Sequence, residues 1–203
     1  VNNFPIPDEL VSADNTRDSA GRQVCYVGAI SVSRGVREIV RAMEFVESDT
    51  RLVLCGTFED ERVQREVETF EGWHRVDARG WLDRSAIRDV LSSCVAGLVT
   101  LHPQQNYVDA HPVKMFEYMS AGLPVICSNF PLWRTIVEGN DCGVSVDPER
   151  PEAIAEAIDY LVENPARAAE MGENGREAIE RKYNWPAEER KLVELYTRLT
   201  GQS

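Results

Sequence analysis

Val24-Cys25-Tyr26-Val27-Gly28, then Gly35-Val36-Arg37-Glu38-Ile39-Val40-Arg41-Ala42-Met43, then Arg51-Leu52-Val53-Leu54-Cys55-Gly56: this stretch decides the fold. Two short apolar runs, each closed by glycine, bracket a segment with helical spacing, which is the pattern of a β-α-β unit. Working downstream, residues 59–70 read as a charged helix, 74–80 as a weaker strand, 83–94 as a helix with Asp83 as N-cap, and 95–101 as a buried strand. Pro112 suits the first turn of the next helix, which Gly122 ends, and 123–127 follow as a short apolar strand. A short helix over 130–138 and a last strand over 143–146 complete the alternation. About six strands separated by helices make an α/β, doubly wound parallel sheet. After Asp147-Pro148 the texture changes, and residues 151–163, 165–182 and 186–199 read as three closing helices, each with proline near its start. Upstream, residues 1–7 read as extended around Pro5 and Pro7, and 8–22 as polar and irregular. This opening lacks Met and is expected to continue from a preceding element of a longer chain.

The 203 residues, 43% of them apolar, suffice for one substantial core. A net charge of −12 argues against a nucleic-acid partner, because binding to a polyanion relies on Lys and Arg displacing counterions. The apolar runs are too short and interrupted for a transmembrane segment, and no signal peptide is visible. Cys25, Cys55, Cys94, Cys127 and Cys142 have no metal-ligand spacing, and four of them lie in or beside strand-like runs. Small buried thiols in a reducing compartment are the natural reading, and a cytoplasmic location is expected.

In open parallel sheets, ligands bind beyond the carboxyl ends of the strands, so the loops after strands hold the candidate site residues. After the first strand, Gly28 permits close approach of a ligand and Arg34 can grip a diphosphate through parallel hydrogen bonds. Its alternative is a turn with a solvent-facing guanidinium. Gly56 after the second strand is a weak signal. Beyond the third strand, Gly80 and Trp81 can face a flat base, although core packing is the reading favoured for Trp81 from the residue alone. The fourth loop leads through Asp109, Ala110 and His111 into the helix near Pro112, whose free N–H groups favour a phosphate. Glu117, lying among Phe116, Tyr118 and Met119, needs a polar partner, and a ribose diol is one. Two carboxylates around an apolar helix, taken bare, are more often surface residues. No dinucleotide glycine fingerprint, P-loop or nucleophile elbow occurs, and His74, His102 and His111 have no partners at metal spacing. His102 reads as a loop residue and no metal is expected.

The run Tyr26-Val27-Gly28 to Arg34-Gly35, Leu54-Cys55-Gly56, Gly80, and Asp109 separated by seven residues from Glu117-Tyr118-Met119-Ser120-Ala121-Gly122-Leu123-Pro124-Val125-Ile126 resembles the C-terminal domain of group 1 (family 4) retaining glycosyltransferases of GT-B fold. The resemblance covers nearly the whole chain. It implies a Rossmann-like domain over 23–183 that binds a nucleotide-sugar, entered through 1–22 from a missing N-terminal domain, with 184–203 crossing back toward it. It implies that Glu117 binds ribose hydroxyls, that Asp109 (where the family usually has Glu) contacts the donor sugar, and that Arg34 (where the family has Lys) holds the diphosphate and stabilises the leaving nucleotide. Gly28, Gly56, Gly80, Trp81, His111, Val113 and Lys114 are then expected around the same nucleotide-sugar. Ala29 stands where many members carry Arg, and Lys114 is expected to compensate from the helix start. The implied activity is metal-independent transfer of a sugar from a UDP- or GDP-sugar to a glycan, lipid or other acceptor, without a cofactor. The acceptor, and any peripheral membrane association, would come through the missing domain, so the domain alone is expected to bind without catalysing. A nucleotide-sugar epimerase of similar fold and a non-catalytic nucleotide-sugar-binding module are the alternatives.

Overall fold

The computed structural model describes residues 2–7, 9–10 and 22–200, the side chains of the last two of these excepted. The polar stretch expected to be irregular over 8–22 lies mostly outside the described residues. Six strands, β1 (Gln23–Val27), β2 (Arg51–Cys55), β3 (Val76–Gly80), β4 (Ala96–Val99), β5 (Val125–Ser128) and β6 (Gly143–Val146), form one sheet in the order β3-β2-β1-β4-β5-β6. Every pairing is parallel. Among the described residues the helices are α1 (Val36–Phe45), α2 (Glu61–Val67), α3 (Arg84–Ser93), α4 (Gln105–Val108), α5 (Val113–Ser120), α6 (Pro131–Val137), α7 (Pro151–Glu163), α8 (Pro165–Arg181) and α9 (Trp185–Thr200).

Alternation along each strand sorts the core into two layers, because successive side chains point to opposite faces. Val24, Tyr26, Leu52 and Leu54 meet Ile39, Val40 and Met43 of α1 and Ile158 and Leu161 of α7 on one face. Cys25, Val53 and Val99 meet Val90 and Leu91 of α3 and Phe116 and Met119 of α5 on the other. Both faces are covered, which is why the strands read as continuous apolar runs rather than alternating ones. All five cysteines are buried and unpaired, as the sequence led us to expect.

Several boundaries differ from the sequence reading for identifiable reasons. The strand expected over 74–80 starts at Val76, because Glu71–Arg75 turn as a 3-10 helix. The strand expected over 95–101 is limited to Ala96–Val99. Between it and α5 lies α4, a single turn of Gln-Asn-Tyr-Val that carries no apolar periodicity. Pro112 is the N-cap of α5 rather than a residue of its first turn. At the other end of α5, the Leu123 N–H donates to Tyr118 and the Gly122 N–H to Met119, a Schellman closure that turns the chain directly into β5. His102 is more than a loop residue: its Nε2 lies 2.9 Å from Glu38 Oε2, and its N–H donates to the Ser33 carbonyl, so the loop after β4 is tied to α1 and to the turn carrying Arg34.

The opening residues pack on the domain. Phe4 packs its ring, tilted and edge-on, against Phe116 and Tyr183 with centroids 4.7 and 5.5 Å apart, and the Pro5 carbonyl accepts from the Trp185 backbone N–H.

Candidate functional site

The order β3-β2-β1-β4-β5-β6 reverses between β1 and β4, and at such a switch point the loops beyond the strand ends part and leave a crevice. β4 pairs with β1 only at Val24 and Cys25. The Val27 N–H beyond that pairing is taken by the Tyr118 hydroxyl at 2.9 Å. One side chain of α5 therefore closes the gap in the ladder and fixes that helix to the rim of the crevice.

Two adjoining cavities occupy the crevice, of about 520 and 430 Å³, both in the range of small-molecule sites. They share Val27 and Gly28. The first lies over β2 and is lined by Gly56, Phe58, Trp81, Leu82, Arg84 and Ile87. The second lies over the switch and is lined by Arg34, Tyr107, Val113, Lys114, Glu117 and Trp133. Two glycines make the shared floor possible. Gly56 has φ of +144°, and a Cβ there would sit 1.8 Å from the Gly28 carbonyl oxygen. Gly28 has φ of +129°, and its Cβ would press to 3.2 Å from the Lys114 amine.

Lys114 is the unusual group. It is 9% exposed, on the first turn of α5, and its Nζ is buried without a hydrogen-bond partner. The ammonium lies over the Tyr26 ring, 3.7 Å from the centroid. Burial, followed by the charge of Arg34, pulls the amine down to about 7. Tyr26 itself is held by donating to the Ala29 carbonyl at 2.7 Å, and burial pushes its hydroxyl well above the ordinary range. Arg34 ends a 3-10 turn, Val32–Arg34, and reaches to 4.0 Å from Glu59. Trp133, fully buried, donates from Nε1 to the Ala110 carbonyl at 2.8 Å and so sets the path of the chain into α5.

Glu117 has the polar partner that its apolar surroundings called for, and it is a cation that sequence reading missed. Arg84 Nη1 donates to Glu117 Oε1 at 2.6 Å. Nothing local signals that pair, since the two residues are 33 apart in sequence and in different helices. Among the expected residues, the structure thus brings Gly28, Arg34, Val113, Lys114 and Glu117 to one cavity and Gly56 and Trp81 to its neighbour. Trp81 is 76% exposed, which corrects the expectation of core packing. Three expected residues stand off the lining. Asp109 is exposed at the C-cap of α4, His111 packs its ring near Phe4 and Phe116, and Gly80 is the exposed last residue of β3, its carbonyl accepting from the Gly56 N–H. Among the described residues, no three His, Cys, Asp or Glu side chains are grouped to hold a metal ion.

The family model for group 1 glycosyl transferases matches residues 8–178 of this chain. The chain belongs to the group 1 glycosyltransferases. This glycosyltransferase domain is 28% identical over 212 residues to the alpha-maltose-1-phosphate synthase of Mycolicibacterium smegmatis, in a match covering 97% of the chain and 53% of that enzyme. Among solved structures, the sucrose-phosphate synthase of Thermosynechococcus elongatus matches with a TM-score of 0.82 at 25% identity, over 98% of this chain and 53% of that one. HepE of Anabaena, solved in complex with UDP, matches with a TM-score of 0.81 at 14% identity, over 96% and 56% respectively, which shows a shared fold. The glycosyltransferase domain spans about half the length of each of these three proteins. Its Rossmann-like sheet is that of one half of a GT-B enzyme.

Proposed function

We propose that the domain is the donor-binding half of a metal-independent, retaining glycosyltransferase, taking a UDP- or GDP-sugar, with the acceptor held by a second domain toward which α9 leads. The observation that carries this reading is the Lys114 amine, buried and unpartnered in the wall of a cavity at the sheet's switch point. An unpaired cation in such a place costs stability unless an anion completes it, and the nearby Arg34 and the N–H groups at the start of α5 point to a strongly charged, multi-oxygen one. A nucleoside diphosphate has that chemistry. The adjoining cavity, with Phe58 and the exposed ring of Trp81, suits a stacked base, and Glu117 between them suits ribose hydroxyls. UDP in the related fold of HepE supports the choice of nucleotide.

The chemistry then falls to this chain's own residues. As the bond between the sugar's anomeric carbon and the diphosphate oxygen breaks, negative charge grows on the diphosphate, and Lys114, Arg34 and the α5 N–H groups are fixed in place to stabilise it. Two cations at that position do the work that a divalent ion does in metal-dependent transferases. Asp109 and His111 remain candidates for the donor sugar on the resemblance alone. The five free, buried thiols accord with a reducing, cytoplasmic setting, and no helix among the described residues is long and apolar enough to cross a membrane. The test is a calorimetric titration of UDP, GDP, UDP-glucose and GDP-mannose into the chain. One-site binding by at least one nucleotide, weakened at least tenfold in Glu117→Ala, is expected. Binding by none of the four at millimolar concentration, or unchanged affinity in the variant, refutes the assignment.

A further inference from the structure

Arg84 opens α3 and reaches two other elements at once. Its Nη1 donates to Glu117 Oε1 at 2.6 Å on α5, while Nε and Nη2 donate to Glu9 Oε1 and Oε2 at 3.2 and 2.7 Å on the opening segment. It lines the cavity that holds Gly56, Phe58 and Trp81, whereas Glu117 lines the neighbouring one, so the pair stands on the wall between the two. The Arg84 side chain is 51% exposed, and an ion pair at that exposure contributes little to stability. Glu117 is only 18% exposed, and Arg84 is the partner that fixes where its carboxylate points.

An ionised carboxylate offers about four lone-pair sites on its two oxygens. Arg84 takes one on Oε1, and the carboxylate lines the cavity at the switch point with its other sites available to a ligand. The guanidinium fork, clamped on its other edge by Glu9, is a rigid donor that sets the direction of these sites. We propose that Arg84 is a positioning residue for ribose: it holds Glu117 in the orientation that accepts the 2′- and 3′-hydroxyls, and Glu9 holds Arg84. This rests on the reading of Glu117 as the ribose acceptor and adds the device that orients it.

The group also has an electrostatic effect that must be separated from orientation. Removing Arg84 leaves two carboxylates near a diphosphate and weakens any nucleotide by repulsion, whatever its sugar. Discrimination between ribose and 2′-deoxyribose cancels that repulsion and isolates the geometry. The experiment is therefore titration of UDP and 2′-deoxy-UDP into the wild-type chain and into Arg84→Ala, Arg84→Lys, Glu9→Ala and Glu117→Ala, with a melting curve for each. The wild type is expected to prefer UDP about tenfold, as for one well-aligned hydrogen bond to a charged group. Arg84→Ala is expected to bring that preference to about twofold with a melting temperature near the wild type, as for other exposed ion pairs. Arg84→Lys keeps one donor and is expected to restore part of the ratio, and Glu9→Ala to lower it part-way. A wild-type ratio in Arg84→Ala, with the ratio lost in Glu117→Ala, overturns the role of Arg84 while sparing Glu117. A ratio untouched in Glu117→Ala, or equal binding of the two nucleotides by the wild type, overturns the ribose reading and this inference with it.

Discussion

Replacing Lys114 with Met is expected to strengthen the empty domain and weaken it for its ligand, two effects of opposite sign from one side chain. The amine is 9% exposed, lacks a hydrogen-bond partner and is pulled from 10.5 to about 7 by burial and by Arg34. The charged groups facing it are Arg34 from the turn after β1 and Glu117 from its own helix, with the Cys25 thiol beneath. Because the folded-state value lies below the unfolded one, the unfolded chain binds more protons between pH 7 and 10.5, so stability rises with pH across that window. Below pH 7 the cost is fully present, at roughly 5 kcal/mol from 1.36 kcal/mol per unit. Methionine fills a similar volume without the charge, so urea unfolding at pH 6.5 should show Lys114→Met more stable by a large part of that amount, with the difference vanishing near pH 10. Nucleotide binding runs the other way. A diphosphate restores the proton, so the wild type takes up about half a proton per UDP at pH 7 and more at pH 8, visible as a dependence of calorimetric heat on the buffer's ionisation enthalpy. Affinity for UDP should fall by up to about fiftyfold from pH 7 to 9 if the bound amine regains its ordinary value, at a factor of ten per unit. In Lys114→Met the proton uptake and that slope disappear, and affinity at pH 7 drops about tenfold to a hundredfold, as for a lost hydrogen bond to a charged group. A variant that is less stable than wild type at pH 6.5, yet binds UDP equally well with the same pH slope, refutes the reasoning.

Other substitutions test the frame around that amine. Trp81→Ala should leave the unfolding free energy within about 0.5 kcal/mol, because the ring is 76% exposed, while costing UDP about tenfold through lost base stacking. Tyr118→Phe leaves the Val27 N–H buried without its acceptor and should cost about 1 to 3 kcal/mol in urea unfolding, with an equal loss at all pH values near neutrality. Gly56→Ala, whose Cβ would lie 1.8 Å from the Gly28 carbonyl oxygen, should both destabilise the chain and abolish nucleotide binding; a folded variant that binds UDP normally would contradict the described floor of the crevice.

How much of this was legible in the sequence follows from what range each feature depends on. The strands announced themselves because a parallel sheet covered on both faces leaves runs such as Leu52-Val53-Leu54-Cys55 almost wholly apolar. The register of β1 with β4 was not legible, and with it the switch-point gap that the Tyr118 hydroxyl fills. Lys114 could be picked out as a cation at a helix start, but its burial over Tyr26 depends on α5 lying across β1. Asp109 and His111 are adjacent to the motif in sequence, yet the short turn of α4 and the aromatic contacts to Phe4 and Phe116 take them off the cavity lining. Arg84 carries no local signal, since a helix-opening arginine after an Asp N-cap is ordinary until the fold sets it beside Glu117.

The central claim is that the crevice between β1 and β4 holds a nucleoside diphosphate by the Lys114 amine. A crystal structure of the chain with UDP tests it most directly. A diphosphate oxygen is expected about 2.7 to 2.9 Å from Lys114 Nζ, the length of a charge-assisted hydrogen bond, with the ribose on Glu117 and the base beside Trp81. UDP bound elsewhere, or bound in the crevice with Lys114 still facing only the Tyr26 ring, would contradict it.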